Sequence, residues 1–316
     1  MNQNQELVLP NFFIIGAAKS GTTSLAQLIQ RNSQIFVASV KETDYFSWDI
    51  EYNKGIAKYS KAHFSEAQHE AIGEASVTYF TSEIARDRIA QDLPASSHRF
   101  IVILRDPVKR AYSHYLMARF RQGNEKLSFR DAVFEDRERR SVQLNGHYTA
   151  SYLWDSEYGT LIESWKAKFP EGKFLFLRSD QLRNQPTATY ESVVKFLGIE
   201  PELEESDHGI EISDSPHLNE ASVTLLGLTS RPNQLPPRVL TVIQKFTSHA
   251  FRRTMMLQVD RFDRFLGRLS PSSRDRQQLP QLEKDLEYEL RCRFATEVKS
   301  AAKITGLDLS DWLPED

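Results

Sequence analysis

Cysteine is almost missing from this chain. Cys292 is the single one in 316 residues, so no intrachain disulfide can form, which fits a reducing compartment. Long apolar runs are missing too. The run from Phe12 to Ala18 is far too short to span a bilayer, and the opening MNQNQELVLP lacks the basic start of a secretory signal. Charge of one sign is not in excess: the net charge of −3 gives no global drive toward nucleic acid or an anionic membrane, so any anion site must be local. The histidines show no metal-ligand spacing, and no metal is expected. Repeats and low-complexity tracts are absent, and nothing in the sequence reads out an oligomeric state. What remains is 40% hydrophobic and 26% charged residues, the balance of an ordinary globular protein. The expectation is a soluble, cytoplasmic chain that neither spans a membrane nor binds nucleic acid.

The apolar residues that are present come in short runs. Phe12-Phe13-Ile14-Ile15 ends at Gly16 and suits a strand buried on both faces of a parallel sheet. Ala71-Ile72-Gly73, Phe100 to Leu104 and Phe174 to Leu177 are similar. Helical patterns fall at about 82–92, 107–121, 156–169 and 186–197. This alternation predicts an α/β fold with a central parallel sheet flanked by helices. Prolines 232, 236 and 237 punctuate a later loop, with charged helices expected at about 237–248 and 281–303. With no flexible linker before them, residues 1–316 read as a single domain, its core at about 11–200 and a C-terminal helical cap or extension at about 215–316.

Between the first strand and its helix lies Gly16-Ala17-Ala18-Lys19-Ser20-Gly21-Thr22-Thr23. Glycines let a backbone curl around a phosphate, and a helix N-terminus adds free N–H groups and a positive dipole end. Thr22, Thr23 and Ser24 add hydroxyl donors. The pattern resembles a Walker A loop with one departure: Thr22 stands where the lysine belongs, and Lys19 appears inside the loop instead. A cation in that place suits a leaving group other than that of ATP. The bland alternative is a plain strand–turn–helix.

A second strand, Arg99 to Leu104, ends in Arg105-Asp106-Pro107, and proline suits the first turn of a helix. Arg105, Lys109, Arg110, Arg119 and Arg121 face one acid, Asp106, a local positive excess in a net acidic chain. Ser113 lies six residues past Pro107, roughly 9 Å up the helix at about 1.5 Å per residue. Arg105 and Ser113 are therefore placed to clamp a second phosphate away from the first loop; otherwise the segment is a solvated basic face.

Together the two elements resemble the sulfotransferase superfamily, whose members carry a GxxKxGTT loop for a 5'-phosphosulfate and an RxPxxRxxSxY motif for a 3'-phosphate. Lys41-Glu42-Thr43-Asp44-Tyr45-Phe46 is similar to the KExxxF segment of carbohydrate sulfotransferases, the heparan sulfate group included, in which the glutamate is the catalytic base. Gly73-Glu74-Ala75-Ser76-Val77-Thr78-Tyr79 resembles the segment that follows it in the substrate cleft. Two positions depart from the heparan pattern: Ala75 replaces a lysine and Asp44 a histidine, and both argue against a highly anionic acceptor. The likeness covers about residues 11–200.

The resemblance implies a three-layer P-loop NTPase-like fold and an enzyme that moves a sulfuryl group from 3'-phosphoadenosine 5'-phosphosulfate (PAPS) to a hydroxyl, most readily on a carbohydrate or glycoconjugate. It implies Glu42 and Lys19 as catalytic residues. Lys19, Ser20, Gly21, Thr22, Thr23, Ser24, Arg105 and Ser113 would bind PAPS, and Asp44, Glu74 and Tyr79 the acceptor. The partner is then a small-molecule or glycan acceptor. Lipid, peptide or secondary-metabolite hydroxyls are alternatives, as are a P-loop kinase or NTPase and a non-catalytic nucleotide-binding module.

Overall fold

The computed structural model describes residues 7–38, 41–121, 125–139, 143–144, 147–148, 151–202 and 280–315. Five strands form one sheet: β1 (Phe12–Gly16), β2 (Ile35–Val37), β3 (Ala71–Ala75), β4 (Arg99–Leu104) and, after the short antiparallel pair β5 (Gln143–Leu144) and β6 (His147–Tyr148), β7 (Lys173–Arg178). Their order is β2-β3-β1-β4-β7 and every pairing is parallel. The expected parallel sheet is present; β2, only three residues long, gives no period that a sequence can show.

The helices are α1 (Thr22–Ile29), α2 (Asp49–Tyr52), α3 (Ile56–Phe64), α4 (Glu83–Asp92), α5 (Pro107–Leu116), α6 (Phe129–Arg139), α7 (Tyr158–Lys168), α8 (Ser179–Asn184), α9 (Pro186–Leu197) and α10 (Lys284–Thr305). The run expected at 107–121 is α5 continued by a π-helical turn, Met117–Arg121. Ser82 caps α4 by accepting from the Ala85 amide at 3.1 Å. The helix expected at 237–248 lies outside the described residues. Among the described residues no helix is long and apolar enough to cross a membrane.

Each strand residue alternates between two apolar layers. Phe12 and Ile14 join Leu25, Leu28 and Ile29 of α1 and Tyr190, Val193 and Val194 of α9 in one buried cluster. Phe13 faces the other way into an aromatic layer, 6.0 Å from Phe100, which itself lies 4.9 Å from Trp165 and 4.7 Å from Phe169. Burial on both faces explains why β1 is continuously apolar rather than alternating.

Among the described residues, 7–114, 130–202 and 283–315 fall into one compact unit. The final helix thus belongs with the sheet. Glu297 of α10 accepts from the amide and hydroxyl of Thr160 on α7, at 2.9 and 2.8 Å.

Candidate active site

The chain leaves central β1 toward β2 and β3 on one side and returns through β4 on the other. The crevice at the carboxyl ends of β1 and β4 is therefore the topological switch point, where open α/β sheets bind ligands. Both motif loops end there.

The Ala17 amide donates to Ile103 O at 2.8 Å, fastening the first loop to β4. Gly16 is packed so closely that an added Cβ would sit 2.7 Å from Phe80 Cβ. Gly21, at φ 100°, turns the chain into α1 without offering a capping side chain, and no acid occupies the first turn. The first-turn amides, which have no intrahelical acceptor, stand ready for an anion. Ser20 is 2% exposed, and its hydroxyl oxygen has no hydrogen-bond partner. An orphaned buried hydroxyl beside an uncapped helix start fits a phosphate. Thr22 is buried, Ser24 half-buried and Thr23 exposed.

On the facing lip, Arg105 Nη1 donates to the Lys19 carbonyl at 3.1 Å, and the Tyr158 hydroxyl holds the Arg105 carbonyl at 2.8 Å. Asp106 is the N-cap that the sequence did not reveal: its Oδ1 accepts from the amides of Val108 and Lys109, both at 3.0 Å. Its Oδ2 takes Arg291 of α10 at 2.8 Å. Ser113, 6% exposed, lies two turns along α5.

The basic face is smaller than the charge count along α5 suggests. Arg110 has no exposed surface; it donates to Ser156 Oγ at 2.6 Å and stands 3.7 Å from Asp155. It braces α5 from within. His114, beside it, is held well below the ordinary imidazole range by burial and by the cations Arg110 and Lys19. Burial lifts the Asp155 carboxyl to about 6 against the pull of Arg110.

The third element adjoins the first loop. Lys41 Nζ donates to Thr22 Oγ1 at 3.1 Å and pairs with Glu42 Oε1 at 3.0 Å. Glu42 Oε2 accepts from the Val77 amide at 3.2 Å, and the Lys41 and Glu42 side chains are each 20% exposed. The carboxylate is thus half-buried, oriented and still reachable. Asp44, at φ 55°, accepts from Thr78 Oγ1 at 2.8 Å.

Glu74 and Tyr79 differ from expectation. Neither has exposed surface, so neither presents an atom to an acceptor. Glu74 instead accepts hydroxyls from Thr43 (2.5 Å), Ser76 (2.6 Å), Tyr79 (2.6 Å) and Tyr59. Burial raises the pKa values of Glu74, Tyr59 and Tyr79. Sequence reasoning missed Thr43, Tyr59 and Ser76 as a polar group: Tyr59 comes from α3, at no motif spacing. Among the described residues no His, Cys, Asp and Glu cluster is shaped for a metal ion.

Arg105 thus meets the first loop at Lys19, and Lys41 joins Glu42 to the same loop at Thr22. Residues 9–216 match the model of the sulfotransferase domain. The bifunctional heparan sulfate N-deacetylase/N-sulfotransferase 2 of Homo sapiens is 29% identical over 202 residues, 62% of this chain and 22% of that protein. The heparan sulfate glucosamine 3-O-sulfotransferase 5 of Homo sapiens is 31% identical over 199 residues, 62% of this chain and 55% of that protein. The chain therefore spans about half the length of one curated relative and about a fifth of the other. The crystal structure of a sulfotransferase from Alicyclobacillus acidocaldarius superposes with a TM-score of 0.62 over 96% of this chain and 99% of that one, at 20% identity. That likeness speaks for the fold, a central parallel sheet between helices of the P-loop NTPase type. With two thirds of its length matched and the motif loops at one switch point, the chain belongs to the sulfotransferase domain family.

Proposed function

We propose that this chain transfers a sulfuryl group from PAPS to a hydroxyl acceptor, most readily one on a carbohydrate or glycoconjugate. The observation that carries the reading is the Arg105 contact with the Lys19 carbonyl, by which the two cationic elements meet across the crevice. A nucleotide bearing phosphate at both its 5' and 3' positions matches two such grips; ATP, with no 3'-phosphate, leaves Arg105 and Ser113 unused. The carbohydrate preference is supported by the relatives' names, both of which act on heparan sulfate.

The first-turn amides and hydroxyls of Ser20 to Ser24 hold the 5'-phosphate. Lys19 neutralises negative charge that grows on the oxygen leaving sulfur, a form of electrostatic stabilisation. Glu42 takes the proton from the acceptor hydroxyl as its oxygen bonds to sulfur, and the sulfur–oxygen bond to phosphate breaks in line. Positioned bases of this kind contribute roughly 10²–10⁴ in rate. Lys41, fixed between Thr22 and Glu42, keeps the base beside the loop.

The test is thermal stabilisation by 3'-phosphoadenosine 5'-phosphate (PAP), AMP, and ATP with magnesium. PAP is expected to raise the melting temperature well beyond the other two; a larger effect of ATP with magnesium would favour a kinase or NTPase instead. Glu42→Gln is expected to remove turnover while PAP still binds. A panel of neutral and sulfated oligosaccharides, phenols and lipid alcohols then identifies the acceptor class.

A further inference from the structure

Glu74 sits near the end of β3 with none of its surface exposed. Every partner that it has is a hydroxyl: Thr43, Ser76 and Tyr79 on Oε1, Tyr59 on Oε2. Among the described residues no lysine, arginine or histidine pairs with it. A buried carboxyl without a counter-charge is costly, and holding the fold together would need only an apolar side chain there.

Three of the four hydroxyls lead to the segment that bears Glu42. One belongs to Thr43 itself. Ser76 Oγ accepts the Asp44 amide at 3.2 Å, and the Tyr79 hydroxyl accepts the Phe46 amide at 3.2 Å. Each of these two hydroxyls donates to Glu74 while accepting from the segment, a chain in which each bond polarises the next. The Tyr59 hydroxyl, by contrast, bonds Glu74 without reaching the backbone of 42–46; only its ring meets that segment, stacked on Tyr45 at 4.1 Å and edge-on to Phe46 at 5.6 Å. The turn after Glu74 also supplies the Val77 amide to Glu42.

We infer that Glu74 is a positioning residue for the transfer: through Thr43, Ser76 and Tyr79 it fixes the backbone after Glu42 and so aims the base. The inference rests on the reading of Glu42 as that base. It sets Glu74 apart from the acceptor-binding groups and gives Thr43 a function.

The test compares Thr43→Val, which unhooks the segment, with Thr43→Ser, which restores the hydroxyl, and with Tyr59→Phe, which removes a hydroxyl from Glu74 but no segment bond. Turnover is read as PAP released from PAPS with water as acceptor, donor affinity as the Kd for PAP, and local order as amide exchange across 43–46. Thr43→Val is expected to lower kcat by roughly 10- to 100-fold, the scale of a misplaced group, with the Kd for PAP within about twofold. Exchange across 43–46 should quicken by about tenfold while β1 is unchanged, because local opening is separable from global unfolding. Thr43→Ser is expected to return both, and Tyr59→Phe to lower Tm without the kcat loss. The inference is overturned if Thr43→Val leaves kcat and exchange unchanged, or if Thr43→Val and Tyr59→Phe lose kcat equally in step with Tm. Should Thr43→Val not fold, Ser76→Ala unhooks Asp44 from the same carboxyl and carries the same expectations. Glu42→Gln separates the two failures. If it still turns over, the base reading falls; if it is dead while Thr43→Val is active, only the role of Glu74 falls.

Discussion

His114 lies among Arg110, Lys19 and Asp155, with the Tyr152 ring edge-on at 5.4 Å. Its folded pKa is depressed, so below about pH 6.5 the unfolded chain takes up a proton that the folded chain refuses. Stability is then lost as pH falls, by up to about 1.4 kcal/mol per pH unit. Asp155 acts oppositely. Its carboxyl, raised from 3.8 to about 6, stays protonated in the fold where the unfolded chain has ionised, so its contribution weakens as pH climbs across that window. Thermal melts between pH 7 and 5 should show His114→Asn losing less stability than the parent, and Asp155→Asn losing more. The surroundings of His114 and Asp155 were not legible from sequence, whereas the loop and strand-end positions of Lys19 and Arg105 were. The difference is physical: the latter sit in local motifs at strand ends, while the surroundings of His114 come from three separate segments. Arg110 shows the converse error, since a charge count along a helix cannot tell a solvated arginine from one sealed inside.

At the scale of elements, the first loop depends on two glycines for different reasons. Gly16→Ala would press a methyl group against Phe80, whose carbonyl accepts from Trp165 Nε1 at 2.8 Å; overpacking of this kind costs about 1–3 kcal/mol. Gly21→Ala meets Leu182 at 3.3 Å and a φ of 100° that L side chains avoid, a strain of roughly 1–2 kcal/mol. Urea denaturation with and without PAP separates the two. Gly16→Ala should chiefly lower stability; Gly21→Ala should also weaken PAP binding, because it turns the first amides of α1. The strands β1, β4 and β7 were readable as short continuous apolar runs, and helices α4, α5, α7 and α9 because each is long enough to show a helical pattern. Helices α2 and α3 were not: α2 is a single turn with no buried residue, and α3 buries only Tyr59, Ser60 and Phe64.

At the scale of the whole molecule, the last helix is joined to the carboxyl end of the sheet. Arg291 reaches Asp106, the residue that caps α5, and Arg178 at the end of β7 pairs with Asp180 and Asp311 beneath the Trp312 ring. Arg291→Met should lower stability by about 1–3 kcal/mol, since a half-buried charged hydrogen bond is lost. Melting curves should also show a smaller shift with PAP, because Asp106 is adjacent to Arg105. No sequence pattern announced this long-range tie. The contact between Arg105 and the Lys19 carbonyl has one more consequence. If the two elements grip a nucleotide as proposed, a guanidinium that already rests on the neighbouring loop joins them into a single rigid caliper, so half-ligands should be poor guides to the whole. Adenosine carrying either phosphate alone should bind so weakly that their summed free energies fall short of that of PAP, a synergy that titration calorimetry of the three nucleotides would measure.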